Sequence, residues 1–164
     1  MGEITAPVPI TAAHDIAPFS CGAATLDHWL QRHALKNEIS GASRTFVICE
    51  EQRVIGYYTL AVGSIEHQDA PGRIRRNMSN PIPIMVLGRL AIDQQWQRSG
   101  LGRGLLKDAL LRTLTVSEQA GTRALLVHAL SEDAKNFYAQ NGFIASPLDA
   151  MTLMISLKDA AHNL

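Results

Sequence analysis

The run Gln97-Arg98-Ser99-Gly100-Leu101-Gly102-Arg103-Gly104 holds the residues of this chain best suited to bind a polyanion. Glycines let a backbone approach a ligand closely and take conformations that other residues resist. Leu101, Leu105 and Ala109 form one i+4 row and Leu106, Leu110 and Leu114 the next, which predicts a helix from Gly100 to about Ala120. The first N–H groups of a helix lack an internal partner, and its dipole favours an anion beside them. A pyrophosphate can therefore rest on the N–H groups of Arg98 to Gly104, with the charges of Arg98 and Arg103 beside it. The same glycines would also suit a softened helix start with no ligand. A Walker loop needs Gly-Lys-Ser/Thr, which is absent here, and a dinucleotide loop needs GxGxxG early in a βαβ unit, whereas these glycines run GxGxG near mid-chain.

The elements that must position this loop are legible in outline. Residues 7–12 suggest a short strand, and Leu26, Trp29, Leu30, His33 and Ala34 suggest a helix from Thr25, its N-cap, to about Lys36. Arg44 to Glu50 and Val54 to Leu60 read as a hairpin around Glu51-Gln52-Arg53, the second arm reaching as far as Glu66. Residues 69–83 carry three prolines and three arginines and read as a surface loop. Ile84 to Ile92 is a buried strand entering the glycine loop, and Ala124 to Leu130 is another. Ser131 caps a helix ending at Asn141-Gly142, and Met151 to Leu157 closes the sheet. This order describes one mixed α/β domain over residues 1–164.

Composition narrows the class. Hydrophobic residues make up 46% and charged residues 18%, as in a folded globular protein. Zero net charge argues against the uniformly basic surface of a dedicated nucleic-acid binder, yet Arg73, Arg75, Arg76 and Arg89 fall in an interval with no acidic residue. No apolar run approaches the ~20 residues of a membrane span, and no secretory signal opens the chain, so it reads as cytoplasmic. Cys21 and Cys49, outside any CxxC, read as reduced structural thiols, and the histidine spacing offers no metal site.

Gln97-Arg98-Ser99-Gly100-Leu101-Gly102 fits Gln/Arg-x-x-Gly-x-Gly/Ala, and here the chain resembles the GCN5-related N-acetyltransferases (GNAT). The apolar strand before the loop and the later Ala134-Lys135-Asn136-Phe137-Tyr138-Ala139-Gln140-Asn141-Gly142-Phe143 fit the same family in order and spacing. The resemblance implies a GNAT fold: a single mixed, mostly antiparallel sheet with splayed central strands, flanked by helices. It implies acetyl-CoA as acetyl donor, its pantetheine arm on the backbone of Leu90, Ala91 and Ile92 and its pyrophosphate on residues 97–104. Ser131, where many members carry Asn, would touch the pantetheine. Tyr138 would protonate the departing thiolate; a phenol, with pKa near ~10, keeps its proton at neutral pH. Without the motif, Tyr138 reads as a core partner of Phe137. A backbone N–H near Ile92 would hold the oxyanion. No general base is evident; Glu66 and Asp93 read as surface carboxylates. An α-amine, with pKa near ~8, needs a base less than a lysine does.

Phe19-Ser20-Cys21-Gly22, Leu26 to Leu30, Ser43 to Val47, Gly56 to Leu60, Pro81 to Ile84 and Leu87 to Ala91 resemble one branch, the acetyltransferase toxins of bacterial type II toxin–antitoxin modules. That resemblance, covering roughly residues 10–157, implies charged tRNA as substrate, a ribbon-helix-helix antitoxin as partner and a homodimer. Arg73, Arg75 and Arg76, with Arg44 and Arg89, would hold the tRNA phosphates, in competition with the ordinary roles of surface arginines. Two other readings stay open. One is an acetyltransferase for small amines or protein N-termini; the other is a non-catalytic acyl-CoA-binding partner in a repressor complex.

Overall fold

The computed structural model describes residues 2–164; Met1, the first residue of the expected domain, lies outside the described residues. The elements are β1 (Val8–Pro9), α1 (Ala24–Trp29), a π-helical turn (Leu30–Ala34), α2 (Leu35–Ser40), β2 (Arg44–Glu50), β3 (Arg53–Ile65) and α3 (Gly72–Arg75). There follow β4 (Ile82–Ile92), α4 (Leu101–Ser117), β5 (Ala124–His128), α5 (Glu132–Gln140), β6 (Ile144–Ala145), β7 (Thr152–Ser156) and α6 (Leu157–Asn163).

The seven strands form one sheet in the order β1-β2-β3-β4-β5-β7-β6. β1–β2, β2–β3, β5–β7 and β6–β7 pair antiparallel, while β4 and β5 are parallel, with α4 in the connection between them. This is the expected mixed, mostly antiparallel sheet. The parallel ladder has rungs Met85↔Leu125, Val86↔Leu126 and Leu87↔Val127, and β4 continues to Ile92 after the last of them. Leu90, Ala91 and Ile92 form the C-terminal end of β4.

The chain divides into two compact units: residues 1–61 with Gly88–Ala109, and Val62–Leu87 with Leu110–Leu164. The first is built round Phe19, Trp29, Leu30, Val47, Val54, Tyr57 and Ala91. The second is built round Ala70, Ile74, Ile82, Ile84, Leu126 and Met154. Val54 to Leu60 is buried on both faces, which accounts for its continuous apolar run, whereas burial alternates from Ala61 onward.

Several boundaries differ from the sequence-based expectation. The first helical stretch runs on to Ser40 and ends at Gly41, whose φ of 81° suits a C-cap. Ala23, not Thr25, is the N-cap, and it supplies no side-chain bond. The expected loop 69–83 contains α3, pinned because Ala70 and Ile74 are fully buried. The last strand stops at Ser156, whose Oγ accepts from the Asp159 N–H at 3.1 Å and starts α6. The α5 cap is as expected: Ser131 Oγ accepts from the Ala134 N–H at 3.1 Å, and Gly142, at φ 93°, ends that helix.

Candidate active site

At the end of β4 the chain is braced before it turns. Asp93 is 2% exposed, so the expectation of a surface carboxylate is corrected. Its carboxylate accepts from the N–H groups of Ser20 and Gln95, each at 3.0 Å, and lies 3.5 Å from the Arg53 guanidinium, which in turn sits over Trp96. A buried carboxylate persists only when paired and hydrogen-bonded in this way. Gln97 donates its side-chain amide to the carbonyls of Cys21 and Ile92, both at 2.8 Å. Its side chain thus acts as a strut under the loop, and the Ile92 carbonyl is engaged.

The loop itself is tightly wound. Arg98 and Gly100 have φ of 62° and 85°, and the Ser99 hydroxyl donates to the Trp96 carbonyl. The Gly100 carbonyl accepts from the Gly104 N–H at 3.1 Å, opening α4. The N–H groups of Leu101, Gly102 and Arg103 have no partner among the described residues. Arg98 and Arg103 are exposed beside them. Free donors, the positive end of a 17-residue helix and two cations fit a pyrophosphate group. Gly104 is the one residue of the set whose N–H is already used.

Tyr138 lies in the second unit, on α5. It is 6% exposed, edge-on to Phe137 and tilted against Phe143, with ring centroids 5.2 and 5.4 Å away. Its hydroxyl makes no hydrogen bond among the described residues. Burial pushes the phenol above its ordinary range, so it holds its proton at neutral pH. A buried, protonated phenol with an uncommitted hydroxyl suits a proton donor. The Ser131 hydroxyl oxygen accepts the helix-cap bond and keeps its own proton to donate.

The arginines separate into different roles. Arg44 bonds the carboxylate and the carbonyl of Glu38 at 2.6 and 2.8 Å, tying β2 to the end of α2. Arg89 is half-buried in the first unit, its guanidinium over the Trp29 ring. Burial lowers its pKa from the ordinary value. In the second unit Arg73 pairs with Asp159 at 2.9 Å, while Arg75 and Arg76 are exposed. Arg73 and Arg76 line a cavity of about 240 Å³ with Arg123 and Lys158, which the sequence alone did not group with them. Arg123 sits at the mouth of β5 and Lys158 on α6, so only the fold unites them.

The sequence profile described as "Acetyltransferase (GNAT) domain" matches residues 41–145, and the chain belongs to that family. It is 47% identical over 160 residues to the "tRNA-acetylating toxin" of Mycobacterium tuberculosis (strain ATCC 25618 / H37Rv), covering 98% of this chain and 96% of that protein. Among solved structures it is similar to AtaT complexed with acetyl-methionyl-tRNAfMet, at 29% identity and TM-score 0.91, over 98% of each chain. It is also similar to an AtaT mutant toxin bound to acetyl-CoA and to the C-terminus of the antitoxin AtaR. That match has 30% identity and TM-score 0.84, over 97% of this chain and 96% of that one.

Proposed function

We propose that this protein is a toxin that moves the acetyl group of acetyl-CoA onto the α-amine of aminoacyl-tRNA, so that the product cannot serve as an elongating acceptor. The observation that carries this reading is the 47% identity to a tRNA-acetylating toxin over nearly the whole of both chains. The free N–H groups of Leu101, Gly102 and Arg103, beside Arg98, support pyrophosphate binding at the start of α4. The C-terminal end of β4 offers Leu90, Ala91 and Ile92 to the pantetheine arm, and the N–H near Ile92 to the developing oxyanion. Acetyl-CoA, when bound, supplies the activated thioester. Tyr138 gives its proton to the departing sulfur. Arg75, Arg76 and Arg89 engage tRNA phosphates; Arg44 and Arg73 join them only at the expense of Glu38 and Asp159.

The chain works as one acetyltransferase domain in the cytoplasm; among the described residues no helix is long and apolar enough to cross a membrane. A homodimer and a ribbon-helix-helix antitoxin complete the reading, and the solved AtaT–AtaR complexes support an antitoxin partner by likeness.

The test is acetylation of a pool of charged tRNAs with labelled acetyl-CoA, beside free amino acids, polyamines and peptides, with Tyr138→Phe as control. Label on aminoacyl-tRNA that the substitution abolishes is the expected result. Label confined to a small amine or peptide would remove the toxin reading and leave the family assignment intact.

A further inference from the structure

The second unit contains a polar constellation that none of the roles above uses. Asp149, Thr152 and His128 form a chain: the Thr152 hydroxyl donates to Asp149 Oδ2 at 2.8 Å, and His128 Nδ1 lies 2.9 Å from Thr152 Oγ1. A hydroxyl has one proton, and an ionised carboxylate can only accept. The Thr152 proton is therefore committed to Asp149, and Nδ1 of His128 must be the donor to Thr152 Oγ1. That fixes the neutral ring in the Nδ1–H tautomer and leaves Nε2 with a free lone pair. Nε2 has no partner among the described residues, and the residue is exposed.

Asp149 is itself held in place. Its carboxylate accepts from the Met151 N–H at 2.9 Å, and its carbonyl from the Thr152 N–H at 3.1 Å. Its pKa lies below the ordinary carboxylate value, from the Met151 and Thr152 hydrogen bonds and the nearby His128. The carboxylate is ionised at neutral pH, as the Nδ1–H tautomer of His128 requires.

His128, Thr152 and Asp149 line a cavity of about 330 Å³ with apolar walls from Ile84, Val86 and Leu126. The only charged or titratable groups among the described residues of its wall are His128, Asp149 and Asp69; no lysine or arginine lines it. Such a pocket attracts a cationic amine and accepts an apolar side chain beside it. His128 is the residue after Val127, the last rung of the parallel ladder, and the chain re-enters helix at Glu132 to present Tyr138.

We propose that His128 is the general base of the acetyl transfer and that Thr152 and Asp149 are its positioning residues, the cavity holding the aminoacyl group of the acceptor. The proposal rests on the acetyltransferase reading above and supplies the base that the sequence left unassigned. As the amine lone pair forms the bond to the acetyl carbon and the carbon–sulfur bond breaks, Nε2 of His128 takes the amine proton. Tyr138 releases its proton to the sulfur and recovers one from water, while His128 loses its own to water, so the sum is one proton moved from amine to thiol. The carboxylate–hydroxyl chain steadies the imidazolium while it lasts.

The experiment measures kcat, KM and their pH profiles for acetylation of aminoacyl-tRNA by the full chain, as wild type, His128→Gln and Asp149→Asn, with thermal midpoints alongside. The glutamine amide can still donate to Thr152, so the β5–β7 ladder should keep its fold. His128→Gln is expected to lower kcat about 10²–10⁴-fold with both KM values nearly unchanged. The acidic limb that remains in this variant should report the amine alone, near ~8. Asp149→Asn should lose about tenfold in kcat with both KM values nearly unchanged. A His128→Gln enzyme within about threefold of wild type at every pH would overturn the proposal. A wild type that acetylates some other amine but no aminoacyl-tRNA defeats the tRNA reading alone, and the same variants on that amine still decide the role of His128. A wild type that acetylates nothing defeats both.

Discussion

The guanidinium of Arg89 lies 4.1 Å from the centre of the Trp29 ring, and Trp29 is stacked in turn on Tyr57, with centroids 6.1 Å apart and planes 7° from parallel. Tyr57 is anchored by its hydroxyl, which donates to the Leu26 carbonyl at 2.7 Å. A strand residue, a helix residue and a second strand residue thus hold one cation in a fixed, half-desolvated place. Arg89 has no carboxylate partner among the described residues, so its charge remains available to a phosphate. Replacing it with Ala should raise KM for charged tRNA and reduce the salt slope of binding by about one, across all tRNAs alike. Lys keeps the charge and loses the planar stack, so Arg89→Lys should fall between the two. The stability change should be only about 0.5–1 kcal/mol, read by thermal unfolding.

Tyr138→Phe separates chemistry from packing. Its hydroxyl has no hydrogen-bond partner among the described residues, so its removal orphans nothing. Stability should change by less than about 0.5 kcal/mol. The rate should fall about 10²–10⁴-fold with the KM for acetyl-CoA unchanged. Because burial raises the phenol pKa, the alkaline side of the wild-type pH profile should show no loss of this donor up to about pH 10.

Arg98 holds φ of 62°, a conformation in which a side chain costs roughly 1–2 kcal/mol relative to glycine. Arg98→Gly should therefore raise the thermal midpoint while weakening acetyl-CoA binding, two effects of opposite sign in one variant. Gly100→Ala provides the converse. Open space surrounds its Cβ, so only the φ of 85° opposes it, and stability should fall by about 1–2 kcal/mol.

Arg76 and Lys158 share the basic cavity, and neither side chain makes a hydrogen bond or ion pair among the described residues. Arg123, by contrast, donates to the carbonyls of Ile74 and Arg73 at 3.0 and 3.1 Å. Arg76→Ala and Lys158→Ala should weaken tRNA binding and its salt dependence with little change in stability. Arg123→Ala should do both, since it leaves two carbonyls short of a donor, at about 1–3 kcal/mol. Filter binding at two salt concentrations and thermal unfolding distinguish the cases.

Both cysteines are free thiols. Burial pushes Cys21 up to about 11 and raises Cys49 as well. Alkylation by iodoacetamide at neutral pH should be slow at both positions and should accelerate on unfolding in urea, which mass spectrometry would read.

Much of this protein is legible in the chain itself, because the signals are local. The i+4 rows of Leu101 to Leu114, the cap at Ser131, the helix-ending Gly142 and the doubly buried run Val54 to Leu60 each depend on neighbours within a few residues. The glycine loop and the Phe137-Tyr138 element carry their reading through their resemblance to the family's motifs. What only the tertiary structure decided are the pairings between residues far apart in sequence. Asp93 reads as a surface carboxylate until the fold sets it beside Ser20 and Arg53. Only the fold brings the Gln97 amide to the carbonyls of Cys21 and Ile92. Ile74, one apolar residue among arginines, gives too weak a periodic signal to reveal that it anchors α3. His128 and Thr152 become neighbours only because β5 and β7 pair antiparallel in the register that sets them opposite each other. A strand's own residues specify which face each side chain occupies, but the partner across the ladder is chosen by long-range packing, and no pattern within a single segment records it.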